Sequence, residues 1–273
     1  MTMSADVKCF VVGSARSGTT LLSVLLDRHS RLAMTPETVF YAEVAPLIDP
    51  SDPAGVEGVL TAWRRLPELE LQPADVIERC DGDLRPHRVL RALLQLFAEA
   101  RGKSWCGEKS PMHRKFVRAM LRDFPQAKVL HVLRDGRDVA ASLLSAPWWT
   151  GDAAQAAAFW LDAVLDLERL EAAFPEQFLV VSYQALVSRP SATLGQVMTF
   201  LGLDFEPAQL DPALPSGVVL ARSLQWKGRA LQAIDAERVG RWRGLPATDQ
   251  ALLCDVLSPR LAELAGSIGP VAP

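Results

Sequence analysis

The chain has 273 residues, of which 49% are hydrophobic and 22% are charged, and these proportions are those of a globular protein with a substantial core. Its formal net charge of −3 excludes the strongly basic character of a general nucleic-acid binder. Any anion site must therefore be a local concentration of Arg and Lys side chains. Because single domains reach this size, we expect one domain covering residues 1–273.

The cysteines and the N-terminus bear on location. The four cysteines are Cys9, Cys80, Cys106 and Cys254. They are widely spaced, without a CxxC pair or a Cys/His cluster at metal-ligand spacing, which predicts free thiols and no metal site. The chain enters its first predicted strand without a charged leader and an apolar core, and Lys8 and Arg16 interrupt the first apolar stretch. We therefore expect a soluble, cytoplasmic protein with no membrane association.

The N-terminal segment predicts a strand, a glycine-bounded loop and a helix. The run from Val7 to Val12 is mostly apolar and rich in β-branched residues, as in a buried strand. The loop from Gly13 to Gly18 leads into a helix from about residue 17 to 28, so free backbone amides and the helix dipole form an anion cradle. Its G-x4-G spacing is that of a phosphate-binding loop. However, Thr19 and Thr20 stand where a nucleotide kinase has Lys followed by Ser or Thr, and the nearest fixed positive charge is Arg16.

Strand and helix patterns alternate along the rest of the chain, which predicts an α/β fold with a parallel sheet and helices on both faces. Further strands are expected at residues 32–34, 103–106, 128–133 and 178–181. Helices are expected at about residues 86–100, 111–124, 152–173, 191–201 and 250–264. A further helix from about Asp235 would carry Arg238, Arg241 and Trp242 on neighbouring faces.

Polar side chains follow four of the predicted strands: Arg16–Thr20, Glu37, Lys109, and Arg134 with Ser142. Because the carboxyl ends of parallel strands meet at one edge of the sheet, we expect these side chains to converge on a ligand. Each also has a simpler interpretation. Glu37 suits the start of a helix, Lys109 a solvated turn, and Arg134 a surface ion pair, while His131 suits a hydrogen-bonded core position.

Two of these segments resemble the cofactor motifs of sulfotransferases that use 3′-phosphoadenosine 5′-phosphosulfate (PAPS). GSARSGTT resembles the family's 5′-phosphosulfate loop, and RDGRDVAAS resembles its 3′-phosphate motif, with Arg134 and Ser142 at the family's eight-residue spacing. VVSYQALVSRP followed by FLGL is similar to the segment after the family's later sheet strand, and RVGRWR resembles the tail of the bacterial and tyrosylprotein-type branch. The resemblance runs from about residue 8 to 245. It implies a P-loop-like three-layer α/β/α fold with a central parallel β-sheet.

The resemblance also implies roles for individual residues. The 5′-phosphosulfate would be held by Arg16, Ser17, Gly18, Thr19 and Thr20. The 3′-phosphate would be bound by Arg134 and Ser142, and Tyr183 would approach the nucleotide. The basic residues expected to close over the cofactor are Arg222, Lys227, Arg229 and Arg241. Glu37, in PET, matches the branch's catalytic base, Lys109 matches the lysine of a GEKSP-like segment, and Ala15 replaces a Pro found in many relatives.

The reaction that the resemblance implies is an in-line transfer of a sulfuryl group to a hydroxyl or an amine, leaving 3′-phosphoadenosine 5′-phosphate (PAP). Arg16 and Lys109 would neutralise the departing bridge oxygen, and Glu37 would take the acceptor proton, with no metal required. The expected partner is a small hydroxylated acceptor, with no nucleic acid or membrane, and the sequence leaves the oligomeric state open. Aromatic candidates for its pocket are Phe40, Tyr41, Trp63, Trp148, Trp149 and Trp160, of which we assign Trp160 to the core. The alternatives are a P-loop nucleoside or sugar kinase and a non-catalytic nucleotide-binding module.

Overall fold

Five strands form one parallel sheet in the order β2-β3-β1-β4-β5 in the computed structural model, which describes residues 5–218 and 228–265. The strands are β1 (Asp6–Gly13), β2 (Leu32–Met34), β3 (Trp105–Lys109), β4 (Lys128–Leu133) and β5 (Phe178–Ser182). Strand β1 lies at the centre, with its Val11 opposite Lys109 of β3 and Leu130 of β4. The loop that leaves β1 is therefore flanked by the ends of β3 and β4. This register places the segments around Lys109 and Arg134 on either side of the loop.

The α-helices of the described ranges are α1 (Thr19–Asp27), α2 (Phe40–Glu43), α3 (Pro53–Ala62), α4 (Pro73–Arg79), α5 (Pro86–Glu99), α6 (Val117–Asp123), α7 (Gly136–Leu144), α8 (Ala153–Ala173), α9 (Tyr183–Ser188), α10 (Pro190–Leu201) and α11 (Ala247–Glu263). Short 3-10 helices are Ala45–Leu47, Leu66–Leu69, Pro111–Phe116, Pro207–Leu210, Gly228–Leu231 and Arg241–Gly244.

Helices cover both faces of the sheet. On one face Phe10 and Val12 of β1 pack against α5 and against the group formed by α7, α8 and α11, whereas Cys9 and Val11 pack on the other face against α1 and α10. Burial on both faces explains why the strands are runs of apolar residues rather than alternating patterns. The predicted three-layer α/β/α architecture is confirmed. No α-helix in ranges 5–218 and 228–265 is long and apolar enough to span a membrane.

Two local expectations were wrong. The helix expected from about Asp235 does not begin there, and residues 237–240 form turns, because the Asp138 carboxylate accepts hydrogen bonds from the amides of Gly240 (2.9 Å) and Trp242 (3.2 Å), and Gly240 adopts a left-handed φ of 77°. His131 is buried in β4 as expected, but neither ring nitrogen has a hydrogen-bond partner among the described residues. The predicted helix from residue 111 forms in two parts, the 3-10 helix Pro111–Phe116 followed by α6. Three of the four free thiols are buried, and Cys254 is partly exposed.

Candidate functional site

The loop between β1 and α1 has a backbone conformation that requires glycine at position 18. Ser17 closes a turn by donating from its amide (3.2 Å) and its hydroxyl (2.7 Å) to the carbonyl of Ser14. Arg16 and Gly18 both have left-handed φ angles, of 70° and 106°. A Cβ atom on Gly18 would lie 2.4 Å from the ring of Tyr183. Glycine is thus required here, since a side chain would meet both backbone strain and the ring that follows β5.

Arg134 is anchored where β4 ends. Its side chain is 3% exposed, it donates to the carbonyls of Arg16 (3.3 Å) and Arg238, and its guanidinium lies 4.3 Å from the centre of the Tyr183 ring. The indole of Trp160 donates to the carbonyl of Arg134 at 3.0 Å. This buried indole fixes the backbone from which the arginine projects. The surface-ion-pair interpretation of Arg134 is excluded by its burial.

Four guanidinium groups act on one another in this region. Burial lowers the pKa of Arg16, and the positive charges of Arg238, Arg134 and Arg241 lower it further. Burial, Arg238 and Arg134 likewise lower the pKa of Arg241. Mutual repulsion in a partly desolvated site favours an anion, which would relieve it. The Nε of Arg134 is buried and has no hydrogen-bond partner among the described residues, and Arg16 Nε donates to the Ser142 hydroxyl at 3.0 Å.

Glu37 and Lys109 form an ion pair beside the loop. The Lys109 ammonium lies 2.6 Å from a Glu37 carboxylate oxygen and 3.5 Å from the Thr20 hydroxyl. The Lys109 side chain is fully buried, whereas Glu37 is 23% exposed. Burial excludes the solvated-turn interpretation of the lysine. The carbonyl of Glu37 accepts a hydrogen bond from Arg65 at 3.1 Å, and the Glu43 carboxylate pairs with that arginine at 3.0 Å.

One cavity of about 500 Å³ collects most of the predicted residues. Its walls include Arg16, Gly18, Thr19, Thr20, Glu37, Arg134, Ser142, Tyr183 and Arg229. Three predicted residues lie behind the wall. Ser17 turns into the loop, Lys109 contacts the wall residues Glu37 and Thr20, and Arg241 donates to the Ser145 hydroxyl at 3.2 Å. Arg229 lies in the wall but pairs with Asp235 at 2.7 Å and with Glu237. The predicted residues Arg222 and Lys227 lie outside the described ranges.

Sequence reasoning missed Arg238 as a site residue. It lines the cavity and its carbonyl accepts from Arg134, yet it was placed on a helix that does not form. The available signal was the density of arginines in RVGRWR. Asp138 was also missed; it organises that segment from α7, and burial raises its pKa despite the nearby Arg134 guanidinium.

Part of the cavity wall is apolar. Met112, Trp148 and Phe159 line it, and two of these are among the exposed large apolar side chains of the described residues, Met112 at 54% and Trp148 at 48%. Of the six aromatic candidates, Trp148 alone is in the wall. Phe40, Tyr41, Trp63 and Trp160 are buried in the core, and Trp149 packs on Phe159 with ring centres 5.7 Å apart.

The sequence of the chain matches a known protein family. The model of the sulfotransferase family matches residues 9–207. The chain belongs to that family. It is 27% identical over 280 residues to nodulation protein NoeE of Sinorhizobium fredii, covering 88% of this chain and 62% of that protein. It is 23% identical over 265 residues to protein-tyrosine sulfotransferase A of Caenorhabditis elegans, covering 93% and 66%. The chain therefore spans about two thirds of the length of either relative.

Solved structures show the same fold. The sulfotransferase domain of the Synechococcus PCC 7002 olefin synthase superposes with a TM-score of 0.66 at 25% identity, covering 93% of this chain and 95% of that domain. Mouse sulfotransferase SULT7A1, solved in complex with PAP, superposes with a TM-score of 0.51 at 14% identity, covering 96% and 85%. The predicted membership of the sulfotransferase family is confirmed.

Proposed function

We propose that this sulfotransferase transfers the sulfuryl group of PAPS to a hydroxyl or amine of a small acceptor, and that residues 1–273 form one domain for this reaction. The observation that carries the proposal is the Glu37–Lys109 ion pair (2.6 Å), set beside a cavity with Arg16 and Arg134 in its wall. A base, a cation and an anion-binding wall thus lie together in a chain of this family.

The described residues fit a doubly phosphorylated nucleotide. The loop amides and Arg16 suit the 5′-phosphosulfate, since a helix N-terminus and a guanidinium both favour an anion. The buried, unpartnered Nε of Arg134 and the Ser142 hydroxyl suit the 3′-phosphate. Bound PAPS would supply an activated sulfuryl group. That mouse SULT7A1 was solved with PAP supports the same nucleotide here.

The chain's own residues then have distinct tasks. Glu37 accepts the acceptor's proton, because its carboxylate is the exposed member of the ion pair and faces the cavity. Lys109 and Arg16 hold positive charge where the nucleotide's bridge oxygen gains negative charge. Arg65 fixes the backbone of Glu37, and its guanidinium is kept in place by Glu43.

Replacing the base tests the mechanism. General-base catalysis contributes about 10²–10⁴-fold, so Glu37→Gln should lower kcat by that order. PAP should bind no more weakly, since removing a carboxylate leaves a cationic cavity more positive. Sulfated product is followed by mass spectrometry and PAP binding by calorimetry, and Glu37→Asp tests the reach of the carboxylate. Undiminished turnover in Glu37→Gln would eliminate Glu37 as the base.

Removal of divalent cations separates this proposal from the kinase alternative. A P-loop kinase needs Mg²⁺ between the phosphates and the protein, so EDTA should stop it. We expect sulfuryl transfer to continue in EDTA at its original rate. A non-catalytic nucleotide-binding module would bind PAP and show no transfer to any acceptor in the same assay.

The apolar wall supports a small acceptor with an apolar body. Two arginines of the cavity wall are already paired, Arg65 with Glu43 and Arg114 with Asp162 and Asp166, so neither offers a free charge to an acidic acceptor. Met112→Ala and Trp148→Ala should each raise the KM for an aromatic alcohol such as 2-naphthol by about tenfold, from loss of roughly 1–2 kcal/mol of apolar contact. Their affinities for PAP should stay at the wild-type value. Unchanged KM values in both variants would place the acceptor elsewhere.

A further inference from the structure

A buried carboxylate contacts the segment that follows the proposed base, and it is not part of the cavity wall. Glu108 precedes Lys109 in β3 and its side chain is completely buried. One carboxylate oxygen accepts hydrogen bonds from the Thr38 amide (3.2 Å), the Thr38 hydroxyl (2.9 Å) and the Ser110 hydroxyl. The other oxygen is 2.9 Å from Nδ1 of His113. Burial opposes its charge, but His113 and these hydrogen bonds lower its pKa overall.

The partners of Glu108 together hold the four backbone amides that follow Glu37. The amide of Thr38 donates to Glu108 itself, and the next amide, of Val39, donates to the Ser110 hydroxyl at 2.9 Å. The third, of Phe40, donates to the Thr38 hydroxyl at 3.3 Å. The fourth, of Tyr41, donates to Nε2 of His113 at 3.2 Å. Every residue from 38 to 41 is therefore tied, directly or through one side chain, to a single carboxylate on β3.

These contacts determine which tautomer His113 adopts. Nε2 must be unprotonated to accept from the Tyr41 amide, so the proton resides on Nδ1 and is donated to Glu108. Tyr41 and Phe116 pack around the imidazole, with ring centres 5.5 and 6.3 Å away, and exclude water from it. The histidine transmits the position of Glu108 to the start of α2.

The segment that is held in this way is strained. Val39 has a left-handed φ of 51°, which a β-branched residue adopts only when its surroundings impose it. The hydrogen bond from its amide to Ser110 is one such constraint. Without these bonds the segment would relax, and the adjacent Glu37 would move relative to Lys109.

We propose that Glu108, with His113 and Ser110, is a positioning group that sets the geometry of the Glu37–Lys109 pair. Glu108 touches neither cavity nor reactants. It holds the segment after Glu37 against the strand that ends in Lys109, so one buried carboxylate fixes the positions of both members of the pair. This inference rests on the proposed role of Glu37 as the base.

The decisive variant is Glu108→Gln. Its amide oxygen can still accept from Thr38 and Ser110, but its NH₂ group would face the Nδ1–H of His113, so the two donors oppose each other. The histidine must then change tautomer and can no longer accept from Tyr41. Since a displacement of about 1 Å in a catalytic group costs up to about 10²-fold, we expect kcat to fall by about 10- to 100-fold with little change in KM or in PAP affinity.

A double-variant cycle distinguishes positioning from simple loss of stability. If Glu108 acts through Glu37, the Glu108→Gln change should have no further effect on the residual kcat of Glu37→Gln. A multiplicative effect in the double variant, or a kcat for Glu108→Gln within twofold of the wild type, overturns the proposal. Glu99→Gln is the matched control, because it breaks the carboxylate pair with Arg79 (2.7 Å) away from the cavity and should leave kcat unchanged.

A milder pair of variants keeps the test valid if Glu108→Gln does not fold. Thr38→Val preserves the side-chain shape but removes the hydroxyl that bridges Glu108 and the Phe40 amide, whereas Thr38→Ser retains it. We expect kcat to fall at least fivefold in the first and to recover in the second, at equal PAP affinity. Equal kcat values in the two variants overturn the proposal. Failure of the wild-type protein to bind PAP would instead refute the proposed function.

Discussion

Discrimination between PAP and AMP is the most direct test of the arginine cavity, because the two nucleotides differ only in the 3′-phosphate. That phosphate would meet Arg134 and the Ser142 hydroxyl. Hydrogen bonds to charged groups contribute about 1.5–3 kcal/mol each, and the Ser142 hydroxyl can donate to the phosphate while it still accepts from Arg16 (3.0 Å). Two such bonds, about 3–6 kcal/mol in total, predict that PAP binds roughly 10²–10⁴-fold more tightly than AMP.

Calorimetric titration of both nucleotides measures this ratio of affinities. Removal of the Ser142 hydroxyl measures how much of the ratio that hydroxyl contributes. Ser142→Ala should weaken PAP by about tenfold and leave AMP unchanged, since only PAP carries the group that the hydroxyl would bind. The control is Ser188→Ala, which removes a hydroxyl that donates to Gln184 away from the cavity (2.6 Å). Equal affinities for PAP and AMP in the wild type, or an equal loss of both in Ser142→Ala, would refute the assignment of the 3′-phosphate site.

Two further predictions concern stability. Gly18→Ala should lose about 1–2 kcal/mol of unfolding free energy because of its left-handed φ of 106°, and more because its Cβ displaces Tyr183. Gly58→Ala, whose new Cβ meets no neighbouring atom within 4 Å, should gain about 0.5–1 kcal/mol. Urea midpoints measure both changes, and equal effects in the two variants would contradict the reasoning. Burial lowers the pKa of His131 from 6.5 to about 3, so its neutral form stabilises the fold above pH 6.5 and that contribution is lost as the pH falls. Between pH 7 and 5 the wild type should lose about 2 kcal/mol more than His131→Phe, which keeps the stacking on Phe178; parallel pH profiles would show that the histidine titrates normally.

The parts of the site that sequence reasoning located are those carried by one strand and its following turn. Arg16 and Arg134 could be placed because each follows a short apolar run, and the carboxyl ends of parallel strands share one edge. Family resemblance added expected roles to those positions. The roles themselves, the metal-free reaction and the cytoplasmic location stay predictions.

The parts that sequence reasoning missed depend on contacts between distant segments. Arg238 was assigned to a helix because its neighbours have helical spacing, but the Asp138 carboxylate, 102 residues earlier than Gly240, holds that segment in turns. Local propensity could not predict this, since the competing hydrogen bonds come from α7. Likewise, a solvated turn was an alternative for Lys109 that only its burial in the fold excluded.

By itself, the sequence determined the strands, the glycine-bounded loop and the family, because apolar periodicity and short motifs are local properties of the chain. Only the tertiary structure decided that Glu37 pairs with Lys109, 72 residues later, and that Glu108 binds the segment directly after Glu37. The physical reason is that hydrogen bonds and ion pairs are made at distances near 3 Å, and the register of parallel strands, not their sequence separation, sets which side chains come that close.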